Sequence, residues 1–103
     1  MKNPRAFNAL FKQGRSFHAE AFVCFFQNAD DAEAGFVASK KVGNAVKRNY
    51  ARRRLREIFR AETDVLPKGR YALVAKKPIA AIRFGALQEQ FSRVVRQISR
   101  KNE

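Results

Sequence analysis

Nine basic residues crowd one stretch of the chain: Lys40, Lys41, Lys47, Arg48, Arg52, Arg53, Arg54, Arg56 and Arg60, against the single acid Glu57. Most are arginines. A guanidinium is a planar fork that grips phosphate oxygens two at a time and stacks on bases, where an ammonium is a point charge. Asn49, inside the run, adds a donor and an acceptor able to read a 2′-hydroxyl or a base edge. Together these residue types suit the recognition of a polyanion, and nucleic acid is the commonest one in a cell. Residues for bond-making chemistry are sparse. His18 is the only histidine and Cys24 the only cysteine, so neither a Cys/His zinc site nor an intramolecular disulfide can form. His18 has no evident nucleophile or carboxylate partner, and Cys24 lies in an apolar stretch that favours an inert buried thiol. The acids show no DxD or ExxH pattern, and Gly43 stands without phosphate-loop spacing. The expectation is a protein with no catalytic residue and no metal ligand of its own.

The basic residues need a helix to align them. With Val46 at zero and about 100° per residue, Ala51, Leu55, Ile58 and Phe59 fall between about 120° and 220°, a face suited to docking on a sheet. Arg48, Arg52, Arg56, Asn49 and Arg53 fill an adjacent arc of about 140°. A solvated helix gains from opposite charges four residues apart; here Arg48/Arg52 and Arg52/Arg56 stack like on like. A helix that accepts such repulsion needs a polyanion to relieve it.

The remaining chain must build the scaffold. It has 103 residues, a net charge of +13 and 46% hydrophobic residues, enough for one small folded domain over 1–103 and too apolar for a disordered basic tail. No apolar run approaches the roughly 20 residues that span a bilayer, and residues 1–10 lack a signal-peptide core. A cytoplasmic protein is expected, with no membrane partner and no small-molecule substrate. Phe7, Leu10 and Phe11 at i, i+3, i+4 predict a helix over Pro4–Gln13, stopped by Gly14. Ala21–Gln27 reads as a strand, with Phe22, Cys24 and Phe26 on one face and Val23 and Phe25 on the other. Gly35–Lys41 reads as a second strand pairing back on the first. Asn44 caps a long helix to Ala61. Arg70–Lys76 is a third strand, ended by Pro78. Leu87, Phe91, Val94, Val95 and Ile98 make a core stripe on a last helix, Phe84–Arg100. The fold class is α+β: a small mixed sheet with helices packed on it, in the order αββαβα.

Ten Phe and no Trp are many aromatics for so small a core. Most of Phe7, Phe11, Phe17, Phe25 and Phe36 are expected in that core. If Val23 and Phe25 face away from it, they floor a cleft that Phe7 and Phe11 wall, and single-stranded RNA binders pair a basic channel with such stacking platforms. The residues alone leave three partners open: a processed RNA, the structural RNA of a ribosome-type assembly, or duplex DNA with the helix in its major groove.

Ser39–Arg60, SKKVGNAVKRNYARRRLREIFR, closely resembles the signature of the bacterial ribonuclease P protein subunit: Lys40, Lys41, Gly43, Asn44, Ala45 and Val46 as lead-in, then Arg48, Asn49, Arg52, Arg53 and Arg56. FNALFKQGRSF, AFVCFF, RYALVAKKP and the last helix extend the resemblance over nearly the whole chain. It implies a fold akin to the second domain of ribosomal protein S5, with a left-handed βαβ crossover around the Arg-rich helix. It implies two RNA partners, the catalytic RNA of ribonuclease P and precursor tRNA, whose 5′ leader is held in a central cleft. The RNA, with Mg²⁺ bound mainly by it, removes the leader by endonucleolytic cleavage, and the protein assists as a subunit in tRNA 5′ maturation. Carried onto this chain, RNA contact falls to Lys40, Lys41, Arg48, Asn49, Arg52, Arg53 and Arg56. The leader cleft falls to Phe7, Phe11, Val23, Phe25 and Val37. The alternative is a structural RNA-binding protein of ribosomal type with no substrate role, which would fill its cleft with side chains.

Overall fold

In the computed structural model, which describes residues 4–101, helix α1 spans Pro4–Gln13, as its i, i+3, i+4 spacing requires. Gly14 closes it: its N–H donates to the Leu10 carbonyl at 2.8 Å, and a Cβ at that position would stand only 2.5 Å from the same oxygen. Four strands follow: β1 (Arg15–His18), β2 (Phe22–Asn28), β3 (Glu33–Val37) and β4 (Gly69–Ala75). Helix α2 (Ala45–Ala61) lies between β3 and β4, and α3 (Phe84–Lys101) ends the described chain. Asn44 caps α2 as expected, its side chain accepting from the Lys47 N–H at 3.0 Å. Pro78 sits in a 3-10 turn, Lys77–Ala81, just past the end of β4.

The sheet order is β1-β2-β4-β3. β2 pairs antiparallel with both β1 and β4, while β3 pairs parallel with β4 across the α2 crossover. The α+β class stands, with two differences from expectation. The order is αβββαβα, because Arg15–His18 adds an edge strand whose one buried side chain, Phe17, is too little alternation to read in a sequence. The strand expected over Gly35–Lys41 runs from Glu33 to Val37 and does not pair back on β2. β4 takes that edge instead. Its run Tyr71, Ala72, Leu73, Val74, Ala75 is apolar on both faces, the pattern of a strand that belongs in the middle of a sheet.

Three layers result. On one side of the sheet, Phe17, Phe22, Cys24, Phe26, Tyr71 and Leu73 pack with Ala51, Leu55 and Ile58 of α2 and the whole α3 stripe, Leu87, Phe91, Val94, Val95 and Ile98. Edge-to-face rings knit this core: Phe59 meets Phe36 at 5.6 Å and Tyr71 at 5.3 Å between centroids. Phe17 and Phe36 therefore belong to the core and its margin. Burial pushes the Cys24 thiol up to about 12, so it stays neutral and inert at physiological pH. Among the described residues, α1 is the helix on the opposite sheet face.

One member of the basic run turns inward. Arg54 is 5% exposed, and its guanidinium donates to the carbonyls of Ile79 at 2.9 Å, Ala80 at 3.4 Å and Ile82. It is a clamp from α2 onto the turn that leads into α3, and not part of the charged face. Hydrogen bonds to charged groups are each worth about 1.5–3 kcal/mol and partly offset the desolvation of the guanidinium. Arg54→Ala is expected to lower the unfolding free energy by about 2–4 kcal/mol in urea titration, and Arg60→Ala, exposed on the same helix, by at most about 0.5 kcal/mol. Equal small losses for both would show that the clamp contributes nothing.

Candidate nucleic-acid interface

The docking of Ala51, Leu55 and Ile58 decides which way α2 points its charge. Arg53, Arg56 and Asn49 stand exposed, with Arg52 and Arg48 half-buried. The Arg52 guanidinium donates to the Asn49 side-chain oxygen, and Arg56 lies over the Phe36 ring with its Cζ 5.9 Å from the centroid. Glu57, the one acid of the run, only approaches Arg53 at 3.9 Å, with both side chains half exposed or more. Asn49, Arg52, Arg53 and Arg56 line one surface depression together with Val46 and Tyr50. Arg48 stands outside it, and Lys40 and Lys41 are exposed in the turn before the helix.

The other site lies across the sheet. Phe7 and Phe11 stack along α1 at 5.9 Å between centroids, and Phe11 meets Phe25 of β2 edge-on at 4.8 Å. Phe7 reaches the sheet because Gly35 has no side chain: a Cβ there would lie 2.2 Å from the Phe7 Cζ. The register places Gly35, Ala72 and Phe25 in one row beneath these rings. The next row is Val37, Val74 and Val23, and all three are half-buried. The result is a groove with an aromatic wall and a valine floor, left open: Phe11 is 38% exposed. All five residues expected at a cleft stand on this one face.

Three further contributors escaped the sequence reading. Val74 completes the floor, and Lys76 and Lys77 join Lys41 and Ser39 around a depression that opens beside it. Strand alternation carried the signal for Val74, since it shares a face with Ala72, but only the pairing of β4 between β2 and β3 sets it between Val23 and Val37. The lysines follow β4 directly, so the groove has a basic rim at that end. One turn, Ala38–Asn44, joins this rim to the start of α2.

Among the described residues, no group of three or more His, Cys, Asp and Glu could hold a metal ion, and no helix is long and apolar enough to cross a membrane. His18 is exposed at the edge strand, its backbone paired with Val23. An array of guanidiniums neutralises phosphates and releases their counterions, and an apolar groove with a lysine rim fits an extended strand whose bases face in and phosphates out.

Comparisons with known proteins show the family and the fold. A sequence model of the family Ribonuclease P matches residues 1–99. The ribonuclease P protein component of a Nitratiruptor species is 40% identical over 101 residues, covering 98% of this chain and 93% of that one. The counterpart from an Exiguobacterium species is 36% identical, covering 88% and 82%. Among solved structures, the RNase P protein of Thermotoga maritima superposes with a TM-score of 0.82 at 31% identity, covering 94% of each chain. The Staphylococcus aureus protein gives 0.81 at 27% identity, covering 96% and 93%.

The double variant Arg53→Ala, Arg56→Ala is expected to weaken binding to a structured RNA and to flatten the plot of log affinity against log salt by about one per lost phosphate contact. A slope identical to that of the parent protein would remove both guanidiniums from phosphate contact.

Proposed function

The chain belongs to the ribonuclease P protein family, and on that premise we propose that it is the cytoplasmic protein subunit of a ribonuclease P. In this reading it binds the catalytic RNA through α2 and the 5′ leader of precursor tRNA in the groove beneath α1. The observation that carries the reading is the open groove. A purely structural RNA-binding protein has no reason to leave a valine floor and an aromatic wall uncovered and to rim them with Lys41, Lys76 and Lys77.

The chain's part in the reaction is electrostatic and positional. Arg52, Arg53 and Arg56 lower the repulsion between two RNAs brought together, and the groove fixes the leader's direction so that the scissile phosphate falls near the RNA's reactive centre. Mg²⁺ would supply the Lewis acid for phosphodiester hydrolysis, and among the described residues no group of three or more His, Cys, Asp and Glu would hold it. In this reading the metal would sit with the phosphates of the RNA partner. Phe11, at the mouth of the groove, stacks on or packs against leader bases. Val23, Phe25 and Val37 exclude water beneath them.

Two measurements test this. A bacterial ribonuclease P RNA is incubated with a 5′-leader precursor tRNA at low Mg²⁺ and moderate salt, with and without the chain. The expected outcome is stimulated leader removal in the mixture and no cleavage by the protein alone. Tight RNA binding without stimulation would favour the purely structural role. Phe11→Ala is expected to weaken the reconstituted complex for precursor tRNA by about tenfold, the worth of one base–aromatic stack, while leaving mature tRNA within about twofold. Equal losses for both substrates would return Phe11 to a packing role.

A further inference from the structure

Tyr50 belongs neither to the core nor to the groove. It stands on the charged side of α2, 39% exposed, one turn after Val46, which is 76% exposed. Neither is needed by the core. The ring is nevertheless held. The guanidinium carbons of Arg53 and Arg54 each lie 5.4 Å from its centroid. These two cations differ in what restrains them. Arg54 is buried and fixed by the carbonyls of Ile79, Ala80 and Ile82, so it anchors the ring from the protein side. The Arg53 side chain is 66% exposed, and its contact with Glu57 is 3.9 Å long. A cation–π contact at such an exposed site is weak, and Arg53 can leave the ring at little cost. Around the ring, Val46, Asn49, Arg52, Arg53 and Arg56 complete a depression of about 470 Å³, within the size range of small-ligand sites. Arg52 occupies the Asn49 side-chain oxygen, so what Asn49 can offer a ligand is its amide N–H donors.

We propose that Tyr50 is a stacking platform for one unpaired base of the RNA partner. On binding, Arg53 moves from the ring to the phosphate, the base takes its place over the ring, and Asn49 donates to the base edge. This rests on the reading of α2 as an RNA-binding helix and adds what that helix selects. A continuous A-form duplex keeps its bases stacked inside, so the platform favours a loop or bulge with a base turned out. Charge alone would select any phosphate array.

The chain has no tryptophan, so Tyr50→Trp carries a single indole reporter at the site. With bacterial ribonuclease P RNA as probe, Tyr50→Trp is expected to bind within about twofold of the parent, and its emission to fall by about half or more as the base stacks on it. A perfectly paired RNA duplex of similar length is expected to leave the emission unchanged. Tyr50→Ala is expected to weaken binding of the ribonuclease P RNA by about tenfold with the salt slope unaltered, whereas Arg53→Ala flattens the slope by about one. Unchanged Trp emission on RNA binding, or quenching as strong on the duplex, would overturn the platform. So would Tyr50→Ala within about twofold of the parent. Should Tyr50→Ala lose its helical circular dichroism, the Trp reporter decides alone. If the parent binds the RNA with its steep salt slope while the Tyr50 variants are silent, the stacking falls and the reading of α2 stands; if the parent does not bind the RNA, both fall.

Discussion

A strand with apolar side chains on both faces has to be covered twice. β4 is such a strand, with Tyr71 and Leu73 turned to one side of the sheet and Ala72 and Val74 to the other. Helices α2 and α3 cover the first side and pack their apolar faces against it. Among the described residues the second side has the ten residues of α1, about 15 Å of helix. A helix that short covers the row of Gly35, Ala72 and Phe25 and leaves the row of Val37, Val74 and Val23 half exposed. The groove is the geometric remainder of two-sided burial with one short lid.

The same docking organises the charge. A helix cannot choose its apolar face and its charged face separately, because both follow from one periodicity of 3.6 residues. With Ala51, Leu55 and Ile58 against the sheet, the guanidiniums of Arg52, Arg53 and Arg56 have to share one exposed side and repel each other there. The exposed Arg53–Glu57 pair relieves little of this, because solvent screens it. The protein tolerates the repulsion because the helix is held from below by the core and by the Arg54 clamp. Stability held inside lets a weakly compensated cationic array be displayed outside, and in the proposed role phosphates would offset what the array costs.

The two surfaces are tied by a short path. Val37 ends β3 at the groove, Lys40 and Lys41 turn the chain, and Asn44 starts α2. One backbone segment thus fixes the relation between an apolar channel and a cationic helix, with lysines at the junction. In the proposed role that relation matters, because misplacement of a phosphate by an ångström carries a large penalty in rate.

Local periodicity was legible in the sequence. The bounds of α1 coincide with its apolar spacing, every residue of the α3 stripe is buried, Asn44 is the N-cap, and Phe7, Phe11, Val23 and Phe25 stand on one sheet face together with Val37, which the family resemblance had added. The basic motif was also there to read, since charge and spacing are properties of the chain itself. Tertiary structure alone decided the rest. β1 rests on the single inward ring of Phe17, β3 gave up its expected place beside β2 to the more apolar β4, and Arg54 left the charged face for three distant carbonyls. Val74 and the lysine rim came to the groove only through that strand order. The physical reason is the same in each case. Alternation and helical period are set by neighbours within a few residues, whereas strand partners and the burial of a charge are settled by competition among segments tens of residues apart.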